Sequence, residues 1–135
     1  MSLRIIDTSH VDAFWPLVAD DLQAACLRCN AENLNSGALW QMCRSGQASL
    51  FLWVVDGEIL VKSVWRFDTP NYPHSFRCMM LSGKNMDQWV SEYSDTITQF
   101  AKNYGATQLV TTGRKGWLKL FPKAEKIGAN YEVDI

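Results

Sequence analysis

The sequence predicts an α/β fold with a mixed, mostly antiparallel sheet, and three observations carry that prediction. From His74 to Trp117 the chain reads strand, Gly-Lys-Asn turn, amphipathic helix, glycine stop and strand, which is one βαβ unit with a right-handed crossover. Asp56-Gly57 separates two long apolar runs and is the best hairpin signal in the chain. A strand and two helical stretches precede these segments, and an alternating strand, Ala129 to Ile135, closes the chain. The expected order is β-α-α-β-β-β-α-β-α-β, with helices on both faces of the sheet and one domain over residues 1–135. The sheet should be antiparallel through Ala48 to Ser82 and parallel only between the His74 and Thr107 strands.

Each element follows from local pattern. Leu3 to Ile6 is a short strand, and Asp7-Thr-Ser-His is a run of turn and cap residues. Val11, Phe14, Trp15, Val18, Leu22, Ala25, Cys26 and Cys29 recur at helical spacing, with Pro16 inside the pattern as a kink or as the first turn of its main part. Leu39, Trp40 and Cys43 form the stripe of a second helix over Ser36 to Arg44. Ala48 to Val55 is almost continuously apolar, so both of its faces should be covered. Glu58 to Phe67 returns antiparallel, and Pro70 and Pro73 stiffen the loop that follows. In the next helix, from Met86 to about Tyr104, the apolar face is Met86, Trp89, Val90, Tyr93, Ile97, Phe100, Ala101 and Tyr104. Asn85 suits its N-cap, with Gln88 completing a capping box, and Gly105 suits the position just past its end. Thr107 to Thr111 is a short buried strand, and Trp117 to Phe121 is one or two helical turns stopped by Pro122. The expected core includes Leu50, Leu52, Val54, Val61, Ile97, Phe100 and Leu109. Trp53, Trp65 and Trp89 read as core residues, not as a ligand stack.

Composition narrows function. A chain of 135 residues suits a single core, and six Trp and six Phe supply large side chains to fill it. The formal charge of −1 gives no basic footprint, so no nucleic-acid partner is expected. No apolar run is long enough to span a membrane, and the N-terminus has no signal-peptide pattern. Cys26 and Cys29 make a single C-x-x-C. A zinc site would need further ligands from Cys43, Cys78, His10 and His74, and no second paired motif exists. Buried thiols in a reducing compartment, and no metal, are expected.

The strand-to-helix turn Ser82-Gly83-Lys84-Asn85 is the candidate anion site, because a helix start offers unpaired N–H donors and positive potential. Arg114 and Lys115, in a glycine-flanked turn beyond a strand, are candidate partners for phosphate or carboxylate. A solvated basic turn is the alternative.

The element order resembles the GCN5-related N-acetyltransferase (GNAT) fold over almost the whole chain. Gln99-Phe-Ala-Lys-Asn-Tyr-Gly-Ala-Thr-Gln-Leu is similar to that family's helix, Ala-x-x-x-Gly and strand passage. Gly113-Arg114-x-Gly116-Trp117 and Ile127-Gly-Ala-x-Tyr131 resemble a narrower set, small GNAT-like proteins of bacteriophages that include internal virion proteins of short-tailed phages. The resemblance implies acetyl-CoA as cofactor, with pantetheine in a wedge between the His74 and Thr107 strands and pyrophosphate at the turn before the long helix. The family's phosphate motif has Gln or Arg, then Gly, then Gly or Ala. Aligned on Gly83, this chain has Met80 at the first of these positions and Asn85 at the last; Lys84 is the compensating charge.

Acetyl transfer to an amine needs a base, polarisation of the thioester and an acid for the departing thiolate. Glu58 and His74 are the candidate bases; equally, Glu58 reads as the solvent side of a hairpin and His74 as a loop-edge histidine. The family's acid is often a Tyr in the helix after the Thr107 strand. Here that helix has Trp117 and Phe121, neither able to serve, and Tyr131 lies late in the chain. The expected function is a degenerate acetyltransferase-like protein, virion-associated or host-directed, with another protein as partner and self-association as a further option. It is expected in the host cytoplasm or the virion. The alternative is an active acetyl-CoA-dependent N-acyltransferase on a small amine or protein.

Overall fold

The computed structural model describes residues 2–29, 33–112 and 116–135. The strands are β1 (Ser2–Ile6), β2 (Ser49–Val55), β3 (Glu58–Phe67), β4 (Ser75–Gly83), β5 (Gln108–Thr112), β6 (Glu125–Ile127) and β7 (Asn130–Asp134). The helices are α1 (Val11–Arg28), α2 (Ser36–Ser45), α3 (Val90–Asn103) and α4 (Trp117–Leu120). The strands form one mostly antiparallel sheet in the order β1-β2-β3-β4-β5-β7-β6. The parallel pair is β4 with β5, as the βαβ reading requires. None of the described helices is long and apolar enough to cross a membrane.

Two compact units divide the chain. In the first, residues 1–66 and 80–84, α1 keeps its course through Pro16 and buries Val11, Trp15, Val18, Leu22, Ala25 and Cys26. Asp12 on its first turn accepts from Trp40 Nε1 at 2.7 Å, and the Arg44 guanidinium lies 4.5 Å over the same ring, fastening α2 to α1. Asn35 caps α2 through Ala38 N, and Gly46 ends it in the left-handed region. In β2, Leu50, Phe51, Leu52 and Trp53 are all buried, so both faces are covered. Asp56 and Gly57 have φ of 48° and 77°, the two positive values that a tight hairpin of this twist needs. Val54, expected in the core, is only half-buried; it lies next to the end of β2, past a register shift at which Leu60 of β3 is the extra residue. Leu50, Leu52 and Val61 are buried as expected.

In the second unit, residues 67–79 and 85–135, the Phe76 and Phe100 rings meet at 5.5 Å between centroids, tilted by 43°, which places α3 against the Phe76 face of β4. Tyr93, Ile97 and Ala101 form the buried stripe of α3. Phe100 sits at the rim of that stripe, half-buried, with Tyr104 at 4.8 Å; Leu109 opposite is fully buried. Ser94 Oγ donates to the Leu120 carbonyl and ties α4 to α3.

Two expectations are corrected here. The continuous helix from Met86 is instead one 3₁₀ turn, Met86–Gln88, a break at Trp89 (φ −133°), and then α3. The closing segment is a hairpin, not a single strand. Glu125–Ile127 pairs with β7, and the two-residue turn Gly128-Ala129 joins them, with Gly128 at φ 61°.

Candidate functional site

The turn after β4 carries most of the residues singled out from sequence. Asn85 does not cap a helix. Its φ and ψ are 55° and 49°, its side chain makes no capping bond, and only its carbonyl acts, accepting from Gln88 N at 2.9 Å. Asn tolerates the left-handed region because its short amide relieves the steric cost that other side chains meet there. The helix start consequently moves on to Val90, whose preceding residue Trp89 gives no side-chain cap.

Lys84 is engaged twice. Its backbone N–H donates to the Leu60 carbonyl of β3 at 3.1 Å, and its ammonium lies 2.6 Å from a Glu58 carboxylate oxygen. The hydrogen bond to Glu58, and after it the charge of that carboxylate, hold the Lys84 ammonium above its usual range, with the Asp21 charge adding to the effect. On the neighbouring stretch of β3, Lys62 pairs with Asp21 of α1. Glu58, Lys84, Asp21 and Lys62 are thus one group of alternating charges in the first unit. Met80, where the phosphate motif calls for Gln or Arg, is buried.

A pyrophosphate at this turn would need backbone donors and a cation. The Lys84 N–H is held by the sheet, its ammonium faces a carboxylate, and Asn85 supplies a left-handed residue in place of a small one. These residues do not fit the group. Ser82 is half-buried at the end of β4, and Gly83 is the last residue of that strand. Arg114 and Lys115 lie outside the described residues.

The two candidate bases have separate partners. Glu58 has Lys84. His74 stands before the first residue of β4, at the end of that strand away from Gly83, exposed, with Nδ1 2.8 Å from Thr107 Oγ1 and the Tyr72 ring stacked on it at 6.4 Å. Its carbonyl accepts from Thr107 N at 2.8 Å. That environment fastens the start of β4 to the start of β5. The candidate acid position is apolar: α4 holds Trp117 and Leu120, both buried, with Phe121 buried just beyond, and Tyr131 on β7 is also buried. Among the described residues no group of three His, Cys, Asp or Glu side chains is placed to hold a metal. Cys26, Cys43 and Cys78 are buried and lie outside any disulfide; burial pushes the Cys26 thiol up and the Cys43 thiol up to about 12.

Sequence reading missed a polar network in the second unit. Arg77 on β4 grips Asp68 with two bonds, Nε to Oδ1 at 2.7 Å and Nη2 to Oδ2 at 3.0 Å. Its third nitrogen reaches Thr112 Oγ1 at 3.0 Å, and Thr112 Oγ1 in turn donates to Asn130 Oδ1 at 3.0 Å. Thr112 and Asn130 are register partners of β5 and β7. The available signal was Arg77 itself, the one charge in an otherwise uncharged strand. The parallel pairing runs from Ser75↔Gln108 to Cys78↔Thr111, and β4 continues to Gly83 beyond the last pair.

No protein-family model matches the sequence, and no curated protein matches it. Solved structures do. An N-acetyltransferase from Staphylococcus aureus Mu50 matches with a TM-score of 0.63 at 14% identity, over 98% of this chain and 97% of its own. An aminoglycoside 6'-acetyltransferase type Ii matches with a TM-score of 0.70 at 7% identity, over 99% and 97%. A GNAT family acetyltransferase from Brucella melitensis, solved in complex with acetyl-CoA, matches with a TM-score of 0.61 at 13% identity, over 99% and 88%. At such identities the likeness is one of fold, and the fold of this chain is that of the GNAT acetyltransferases.

Proposed function

We propose that this chain is an acetyltransferase-like domain, one unit of function over residues 1–135, in which CoA binding is weak or lost and which acts as an accessory protein on another protein. The observation that carries this reading is the double engagement of Lys84, by the Leu60 carbonyl and by Glu58, at the turn where the fold's pyrophosphate would lie. The buried apolar side chains of α4, where an acid would be needed, support it. The partner is a virion component or a host protein. The phage character rests on the resemblance of Gly113-Arg114-x-Gly116-Trp117 and Ile127-Gly-Ala-x-Tyr131 to small phage proteins.

The second reading is an acetyl-CoA-dependent N-acyltransferase acting on a small amine or a protein. The Brucella melitensis protein of the same fold in complex with acetyl-CoA favours it. In that reading Ser82, Gly83, Lys84 and Asn85 hold the cofactor, Arg114 and Lys115 assist, and Glu58 or His74 takes the amine proton. Calorimetry of the wild-type protein with acetyl-CoA separates the two. No binding at millimolar CoA is the expected result. Tight micromolar binding that is lost in Gly83→Val overturns the accessory reading and restores the enzyme.

A further inference from the structure

We infer that the outer face of α1 is a docking seam for an amphipathic helix of another protein, one that carries a basic residue in the middle of its own apolar stripe. The inference rests on the accessory reading above and names the surface that meets the partner. α1 is apolar on two opposite sides. Its inner side is the buried stripe of Val11, Trp15, Val18, Leu22, Ala25 and Cys26. Its outer side carries Ala13, Leu17, Asp20, Ala24 and Leu27, spaced four, three, four and three, which is the spacing of a coiled-coil seam. At 3.6 residues per turn these five positions fall within an arc of about 80°, on the side away from the core. Leu17 is 58% exposed and Leu27 71%, so the packing of the unit does not cover the seam. Single exposed leucines are ordinary; two in one seam register, with Ala24 between them, form a ridge that a second helix can straddle. Charge selects the occupant. Among the aspartates of α1, Asp12 is held by Trp40 Nε1 and Arg44, and Asp21 by Lys62. Asp20 has no partner among the described residues, and it is the central position of the seam. Paired in register with α1 of a second copy, parallel or antiparallel, Asp20 would meet its own equivalent, like charge against like charge. A foreign helix with Lys or Arg at its central seam position and apolar residues on either side matches both the leucines and the carboxylate. The seam is about 21 Å long, so the complex it supports is small and transient.

The test uses two synthetic helical peptides of about three heptads, with leucine along the seam and either arginine or glutamate at its central position. Their binding to the whole protein is read by fluorescence anisotropy at low salt, and the oligomeric state by sedimentation velocity. The proteins are wild type, Leu17→Ser/Leu27→Ser and Asp20→Lys; the substituted side chains are exposed, and thermal melts check that each variant keeps its fold. The arginine peptide should bind wild type with a Kd on the order of 10–100 µM, as a small transient interface does. It should bind about five-fold tighter than the glutamate peptide, the upper range of an exposed ion pair. The preference should reverse in Asp20→Lys, and the serine variant should lose about ten-fold or more in affinity. No binding of the arginine peptide at about 1 mM overturns the inference. So do equal affinities for the two peptides in wild type, a preference that persists in Asp20→Lys, or unchanged binding by the serine variant. A wild-type dimer that dissociates in the serine variant overturns it in favour of a second copy. Should the serine variant lose its fold, the comparison of peptides in Asp20→Lys still decides. None of these measurements involves CoA, so the docking seam and the loss of CoA binding can each fail alone.

Discussion

Ile97 is the position where the helix assignment can be tested hardest. It lies in the middle of α3, is 0% exposed, and shares its buried stripe with Tyr93 and Ala101. Ile97→Ala removes three carbons, about 2.4 kcal/mol at roughly 0.8 kcal/mol per buried methylene. A cavity in a stripe that cannot collapse adds to this, and the total for such truncations is about 2–5 kcal/mol. Alanine's better helix propensity returns about 0.4 kcal/mol. A net loss of about 3 kcal/mol is expected. For a chain of 135 residues, an unfolding entropy of about 2.1 cal/mol/K per residue turns that into a Tm drop of about 10 °C. Urea denaturation monitored by tryptophan fluorescence and by far-UV circular dichroism reads the free energy directly, with the slope compared between proteins to exclude a change in the unfolded state. A loss under about 0.5 kcal/mol would refute the reasoning, because a truncation at a fully buried, unrelaxing site cannot be that mild.

Two further outcomes are expected. The Asp68–Arg77 pair is two-pronged and mostly shielded, with side chains 29% and 20% exposed. A double-mutant cycle through Asp68→Ala and Arg77→Ala should therefore give a coupling of about 1–2 kcal/mol, and a value under about 0.3 kcal/mol would reduce the pair to a surface contact. The Cys43 thiol, pushed up to about 12 by burial, should resist a thiol reagent in the native protein and react once urea unfolds it. Its folded pKa lies above the unfolded one. The stability it contributes is thus whole below pH about 9 and is lost as pH rises toward 12, which a denaturation series from pH 8 to 11 reads as a declining midpoint that flattens in Cys43→Ala.

The fold was legible where a period was long or a turn had one chemical solution. Asp56-Gly57 adopts the two positive φ values that the pair was expected to supply, and the continuous apolar run of β2 is covered on both faces as read. Of the α3 stripe that the spacing of three and four implied, Tyr93, Ile97 and Ala101 are buried, while Val90 and Phe100 are half-buried and Tyr104 is exposed. The failures are local and physical. Gly128-Ala129 is a weaker turn signal than Asp-Gly, and Glu125–Ile127 is too short and too charged to announce a strand by pattern. Val54 was read from the continuous apolar run, and the register shift beside it, with Leu60 as the extra residue of β3, is not encoded by any single residue. Asn85 misled because the same short amide favours both an N-cap and the left-handed region. The structure uses the second property, and the helix start moves to Val90.

The site was less legible than the fold for a reason that Lys84 makes plain. A lysine after a glycine at the end of a strand reads as a phosphate ligand only when nothing else claims its charge. Whether something does is a matter of register between strands distant in sequence. The Asp56-Gly57 turn and the extra residue of β3 at Leu60 fix where β3 begins, and the Lys84 N–H bond to Leu60 fixes where β4 ends beside it. Glu58 is the first residue of β3, and its carboxylate lies 2.6 Å from the Lys84 ammonium. The segment Ser82 to Asn85 contains no hint of this. Two chains with the same Gly-Lys-Asn turn are therefore expected to differ in the charge that the turn presents, according to the residue at the first position of β3. At that position Glu58 gives the lysine of the turn a partner within the protein.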